Sequence, residues 1–143
     1  GTQISEIATL ELEISTLADM INKNIENADA YLIRLIPGIE KSVELFRIGN
    51  EQEANKFFVK IVDGIDWFSQ VLDIILTAKE ISPETVFEGK SIQDRRTSLV
   101  GLTQQMVDAN KNQDWVLLAD LLEYEILPYY QEWSNLLPHF RSH

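Results

Sequence analysis

Apolar side chains recur at alternating three- and four-residue steps through the first quarter of the chain. The series is Ile4, Ile7, Ile14, Ala18, Ile21, Ile25, Ala28, Leu32 and Leu35. This period predicts a long amphipathic helix. Two features could interrupt it: the Asn-rich stretch at 22–27, since Asn competes for backbone hydrogen bonds, and Pro37, which kinks or restarts a helix. The pattern leaves open whether residues 4–36 form one helix or two.

A glycine–asparagine pair marks the end of this first helical region. Gly49 suits the left-handed conformation that ends many helices. Asn50 can cap the next helix, and Glu53 three residues later completes a capping pair. The second helix is predicted at 51–80, where apolar residues again follow a helical spacing. A short linker near 81–91 follows it.

Helix signals continue to the end of the chain. Ser91 is predicted to cap a helix at 92–110, and Asp114 to cap a final helix. The final helix should run to about Leu137, with a kink at Pro128 because proline lacks the backbone N–H that a helix needs.

No segment predicts a strand. Within the linker, Ser82 and Pro83 predict a short helical turn that Gly89 ends. The predicted fold is therefore all-α: an antiparallel helical bundle of four to five helices with a long N-terminal helix that Pro37 can kink. A chain of 143 residues with 45% hydrophobic content is sufficient for one domain, which we place at 1–143.

The net charge excludes several partners. The chain has 12 basic and 23 acidic residues, a net charge of −11. Phosphate backbones and anionic lipids repel such a protein, so neither nucleic acid nor a membrane is expected as partner. Cysteine is absent, which fits a cytoplasmic protein. The chain starts with Gly1 instead of Met, which leaves open whether the natural protein extends upstream.

The acids of the final helix raise the question of catalysis. Asp120 and Glu123 share one face, and paired carboxylates can transfer protons. Neither a nucleophile nor a histidine accompanies them, so we expect structural ion pairs with basic residues of neighbouring helices. The candidates are Arg34, Arg47, Lys60, Arg95 and Arg96.

No metal or cofactor is predicted. Di-metal bundles use Glu-x-x-His motifs, and neither His139 nor His143 follows a Glu at that spacing. The 88–91 stretch EGKS lacks the first glycine of a phosphate-binding loop.

Aromatic residues supply the candidate partner-binding site. Six residues of the final helix lie on one stripe and should be core: Trp115, Leu118, Leu122, Ile126, Tyr129 and Trp133. Trp67 and Tyr130 lie nearer the polar sides of their helices, where half-exposed aromatics anchor partner helices or simply cover helix edges. Arg95 and Arg96 form a small basic spot that could receive a carboxylate or phosphate.

Two segments carry a resemblance to known proteins. YLIRLIPGIEKSVELFRIGNEQEA (31–54) and DWVLLADLLEYEILPYYQEW (114–133) resemble a group of small bacterial helical proteins without an assigned activity. The order and spacing of elements in 35–75 and 107–126 is also similar to flagellar export chaperones. That resemblance implies a bundle that wraps a partner's helices in an apolar groove.

These observations favour a non-enzymatic protein-binding module that acts as an adaptor or as a chaperone-like protein. It would engage a helical segment, or a second copy as a homodimer, through an apolar helix face. The alternative is a small-ligand-binding or hydrolytic bundle that uses Asp120 and Glu123 with an arginine.

Overall fold

The computed structural model describes residues 2–141, and at positions 2–5, 7 and 10–15 it describes the helical backbone alone. Three long helices come first: α1 (Thr2–Arg47), α2 (Glu51–Ala78) and α3 (Ile92–Lys111). The C-terminal segment then comprises α4 (Trp115–Leu121), a π-helical turn (Leu122–Ile126), α5 (Leu127–Leu136) and a 3₁₀ turn (Leu137–Phe140). Two short strands, β1 (Val86–Phe87) and β2 (Lys90–Ser91), lie between α2 and α3.

Contacts between the elements confirm the predicted all-α bundle and its antiparallel order. The C-terminal segment runs against α1, because Trp115 stacks on Phe46 and Arg141 pairs with Glu26. Helix α3 runs against α2, because Arg96 pairs with Asp73 and Asn110 bonds to Asn55. Helix α1 touches α2 and every part of the C-terminal segment, so it organises the bundle.

The N-terminal region forms one helix, which settles the question of residues 4–36. Helix α1 continues through both 22–27 and Pro37, so neither restarts it. Pro37 removes the hydrogen bond to the carbonyl of Ile33, and both residues lie on the exposed side, where water can satisfy that carbonyl. The predicted stripe is buried from Ile25 onward. The side chains of Ile4, Ile7 and Ile14 lie outside the described residues.

Helix α1 is much longer than its partner α2. Tyr31 lies against Trp67, and Gly38 shares a cavity with Phe57, which fixes the antiparallel register of the two helices. In this register α2 ends beside about residue 19 of α1. Residues 2–18 of α1 therefore extend beyond α2 by about 25 Å, at 1.5 Å per residue.

The linker contains a β-hairpin, and the predicted helical turn ending at Gly89 is wrong. Val86 pairs with Ser91 and Phe87 with Lys90 in antiparallel register. Glu88 and Gly89 both have positive φ, 50° and 80°. Two consecutive positive φ angles match the type I′ turn that closes tight hairpins, so Gly89 serves a strand turn and not a helix end.

The caps that the sequence predicts are confirmed. The side chains of Asn50, Ser91 and Asp114 accept hydrogen bonds from the backbone N–H groups of Glu53, Asp94 and Leu117, at 3.5, 3.0 and 3.2 Å. Gly49 has φ of 83°, the left-handed conformation expected after a helix.

The final helix is interrupted by a π-helical turn just before Pro128. The N–H of Leu127 bonds to the carbonyl of Leu122, five residues back. The π-helical turn ends where α5 begins, and Pro128 lies in the first turn of α5. Because a proline has no N–H to donate, the wider turn before it allows the helical segment to continue. The core stripe predicted here is largely confirmed: Leu118, Leu122, Ile126, Tyr129 and Trp133 are buried, while Trp115 is partly buried.

Candidate functional site

Asp120 and Glu123 form a surface ion-pair cluster with Arg47. The guanidinium Nη2 of Arg47 lies 2.9 Å from Asp120 Oδ1 and 2.5 Å from Glu123 Oε2. These hydrogen bonds raise the pKa of Arg47. The Asp120 and Glu123 side chains are 47% and 38% exposed, so both carboxylates face water. This ion-pair cluster joins α1 to the C-terminal segment. Neither carboxylate is desolvated, as a catalytic acid or base commonly is.

Arg95 lies inside the protein. It is only 3% exposed, and its guanidinium pairs with Glu132 of α5. Its Nη2 also donates to the carbonyl oxygen of Phe87 at 2.7 Å. Arg95 therefore connects α3, the hairpin and α5, and its buried position leaves it unable to meet a partner at the surface.

Arg96, the next residue, faces a groove between α2 and α3. Its Nη1 lies 2.5 Å from Asp73 Oδ1, and this contact lowers the pKa of Asp73. Leu76, Ile92 and Leu99 form the apolar floor of the groove. The ion pair crosses from one helix to the other, so the charge of Arg96 is already neutralised within the chain.

Tyr130 is buried, which corrects the expectation that it is half-exposed. It is 0% exposed and packs edge-on against Phe68 and Tyr129, with ring centroids 5.3 and 4.9 Å away. Burial raises its pKa well above the usual value. Tyr130 lies four residues after the end of the π-helical turn, which adds a residue to the helical repeat and rotates the following side chains. A regular helix projected from the sequence could not anticipate this rotation.

Trp67 is half-exposed, as predicted, and pairs with a residue that the sequence did not single out. It is 39% exposed, and its ring centroid lies 4.8 Å from that of Tyr31 on α1. The Tyr31 ring lies over Gly64, where the missing side chain provides the space for it. Partial burial is the main cause that raises the pKa of Tyr31, and nearby Asp63 adds to it, while Arg34 opposes it.

Two cations lie near this aromatic pair, one over the Tyr31 ring and the other over Phe57, which lines the same cavity as Tyr31. The Arg34 guanidinium carbon lies 5.7 Å from the Tyr31 ring centroid, and Lys60 Nζ lies 5.9 Å from that of Phe57. Neither cation has a salt bridge with a residue that the structure describes, although the sequence suggested both as carboxylate partners. We call Tyr31, Arg34, Phe57, Lys60 and Trp67 the aromatic–basic face.

The aromatic–basic face is an elongated groove along α1 and α2. Two adjoining cavities open onto it and share Tyr31 and Arg34. Gly38 and Ala30 lie among its lining residues, so small side chains leave room in the groove along α1. The spacing of Tyr31 and Arg34 on α1 was visible in the sequence. Their position opposite Trp67 and Lys60 depends on the register between two helices, which no local pattern encodes.

Neither a metal-ion site nor a membrane-spanning helix is found in the described part of the chain. No cluster of three or more His, Asp or Glu residues there could hold a metal ion. Within the same residues, no helix combines the length and the apolar character needed to cross a membrane. His143 lies outside the described residues.

Comparison with known proteins gives one match. A family model described as a domain of unknown function, DUF8042, matches residues 23–136, so the chain belongs to this family. The match spans the packed bundle and starts just after the part of α1 that extends beyond α2. No curated protein and no solved structure matches the chain.

Proposed function

We propose that this DUF8042 protein is a non-enzymatic protein-binding module, adaptor or chaperone-like, that engages a helical segment through the aromatic–basic face. One observation carries the proposal: an exposed Tyr31–Trp67 pair lies beside two cations, Arg34 and Lys60, without a carboxylate at salt-bridge distance among the described residues. On a chain of net charge −11, basic side chains left unpaired beside exposed aromatics mark a surface that suits a partner.

The residue types of the face are those that contribute most to protein interfaces. Trp, Tyr and Arg dominate the binding energy of interfaces because they bury large areas and still donate hydrogen bonds. Trp67 has apolar area left to bury, and Arg34 retains all its donors for a carboxylate. A partner that covered the face would gain both contributions.

The shape of the face favours a helix as the bound segment. The lining residues of α1, Ala30, Tyr31, Arg34 and Gly38, follow helical spacing along one side. A groove between two antiparallel helices accepts the side chains of a third helix at three- and four-residue steps. This is the recognition mode that the likeness to export chaperones implied, and Trp67 is the residue of the face that the sequence also suggested for a partner.

The other surfaces support the proposal less well. The α2–α3 groove is apolar at its floor, but Asp73 and Arg96 already neutralise each other across it. The hydrolytic alternative would need Asp120 and Glu123 in a desolvated site, and both face water. Bacterial origin and a cytoplasmic location remain predictions.

Photo-crosslinking in cells tests the proposal. A photoreactive benzophenone side chain replaces Ala30, which lines the face and is exposed, and the matched control carries it at Val116, which is exposed on α4. We expect protein adducts from position 30 that are absent from position 116. Adding Trp67→Ala should remove them.

Two outcomes would reject the proposed site. One is the absence of adducts from position 30 while the protein remains folded, as shown by its circular dichroism. The other is the same set of adducts from both positions, which would indicate nonspecific encounter.

A further inference from the structure

Helix α1 carries a second stripe of residues, separate from the one that faces the core. Going backwards from the aromatic–basic face, Arg34, Tyr31, Asn27 and Asn24 continue to Met20 and Leu17 at alternating three- and four-residue steps. Every one of these side chains is exposed or partly exposed. Leu17 and Met20 are 56% and 59% exposed, a large apolar area for side chains on a surface. The same spacing places Glu13, Leu10 and Glu6 further along the stripe in the sequence.

The chemistry of the second stripe changes along its length. Its N-terminal end carries Glu6 and Glu13, its centre carries Leu17 and Met20, and its C-terminal end carries Arg34, with Lys60 of α2 beside it. Residues 2–22 contain four acids and no lysine or arginine. One end is therefore acidic, the other is basic and aromatic, and the middle is apolar.

We propose that the aromatic–basic face binds the N-terminal part of α1 from a second copy of the chain, in an antiparallel homodimer. This inference rests on the proposed function and names its partner. With the two-fold axis near residue 22, Glu6 and Glu13 of one copy lie on either side of Arg34 of the other. The Met20 side chains of the two copies then meet near the centre, and Leu17 of each copy lies opposite Asn27 of the other.

Antiparallel pairing is the arrangement that the charges allow. In a parallel pair, Arg34 would face Arg34 and Glu13 would face Glu13, and like charges at an interface oppose binding. In the antiparallel pair the acidic end of each copy meets the basic end of the other. This contact therefore occurs twice, once on each side of the axis. The interface is then self-complementary and closed, which is the commonest form of homodimer.

The length of α1 fits this arrangement. The part of α1 that extends beyond α2 measures about 25 Å, and the stretch from Asn27 to Gly38 that it must cover measures about 17 Å, both at 1.5 Å per residue. Because α2 does not accompany this part of α1, nothing in α2 prevents a second copy from lying along it. The family match begins at residue 23, so it does not include the extension.

Sedimentation equilibrium of the full chain and three variants tests the dimer. We expect the unmodified chain to dimerise, and Arg34→Glu to weaken the dimer at least about tenfold, which is about 1.4 kcal/mol. Glu6→Lys with Glu13→Lys should weaken it similarly. The chain that combines all three substitutions should dimerise again, because each pair of opposite charges is restored with its order reversed. Lys111→Glu, the same charge change at the end of α3, is the matched control and should leave the dimer unchanged.

Each outcome decides the inference. Restoration of the dimer by the triple substitution supports it, since positions 6, 13 and 34 meet only in the antiparallel pair. A monomer up to high micromolar concentrations, or a dimer that Arg34→Glu leaves intact, overturns it. If the chain is monomeric and position 30 still crosslinks another protein, the proposed function stands and the second copy is not the partner. If position 30 gives no adduct at all, both are rejected.

Discussion

The C-terminal segment and the aromatic–basic face use the same residue types in opposite ways. In the C-terminal segment, Trp133 and Tyr130 are fully buried, and buried Arg95 is paired with Glu132 of α5. On the face, Trp67 and Arg34 remain in contact with water, and Arg34 meets an aromatic ring instead of a carboxylate. Aromatic and arginine content alone therefore indicates neither stability nor binding. The distinction comes from whether the chain itself supplies the covering residues and the counter-charge.

The comparison predicts that the C-terminal segment carries much of the stability. Leu122→Ala should lower the free energy of unfolding by about 2–5 kcal/mol, because it leaves a cavity where the side chain is fully buried. Leu117→Ala, a matched control at an exposed position of α4, should cost about 0.5 kcal/mol or less. Urea unfolding followed by circular dichroism measures both. A cost below about 0.5 kcal/mol for Leu122→Ala would contradict its place in the core.

The two neighbouring arginines give the next largest effect. Arg95→Ala should cost about 2–3 kcal/mol, because it removes a buried ion pair and the hydrogen bond that holds the hairpin to α3. Arg96→Ala should cost less than about 1 kcal/mol, since its ion pair with Asp73 is partly exposed. The same urea measurement compares the two variants. Equal losses of unfolding free energy would contradict the prediction that the buried arginine contributes more than the partly exposed one.

The sequence was informative where one helix determines the outcome. The caps at Asn50, Ser91 and Asp114 and the buried stripe of α1 depend on residues within a few positions of each other, and local spacing predicted them correctly. The π-helical turn before Pro128 changes the helical repeat, and Tyr130 beyond it was placed outside when it is inside, although Tyr129 and Trp133 were placed correctly.

Predictions that depend on pairing between helices were less successful. Arg47 was one of five basic residues suggested for Asp120 and Glu123, and nothing in the spacing could select it, since it lies more than 70 positions away in the chain. For the same reason Trp67 was found and its partner Tyr31 was not. The hairpin was missed because Glu88 and Gly89 form a turn that resembles a helix end when no strand is expected.

Alkaline pH provides a test of the buried tyrosines. Burial raises the pKa of Tyr129 to about 12, from an ordinary value of 10. The folded state thus favours the neutral phenol, so its contribution to stability is complete below pH 10 and is lost as the pH rises through 12. At pH 11 the loss should be about 1.4 kcal/mol for this residue. Tyr129→Phe should flatten the dependence, and a curve as steep in that variant would reject the assignment.

The face should behave differently from the core in one further respect: it can be altered with little effect on stability. A side chain at Gly64 would overlap the Tyr31 hydroxyl group, so Gly64→Ala must displace the Tyr31 ring, which can move into solvent. The loss of ring contacts opposes a gain of roughly 0.5–1 kcal/mol from replacing glycine within a helix, and the net change in unfolding free energy should be close to zero. Gly101→Ala on α3, where nothing lies within 4 Å of the added carbon, should give the gain alone. Crosslinking from position 30 should fall in Gly64→Ala and not in Gly101→Ala. If crosslinking survives the displacement of Tyr31, then Trp67 and the two cations recognise the partner without it, and the aromatic pair serves only to hold α1 against α2.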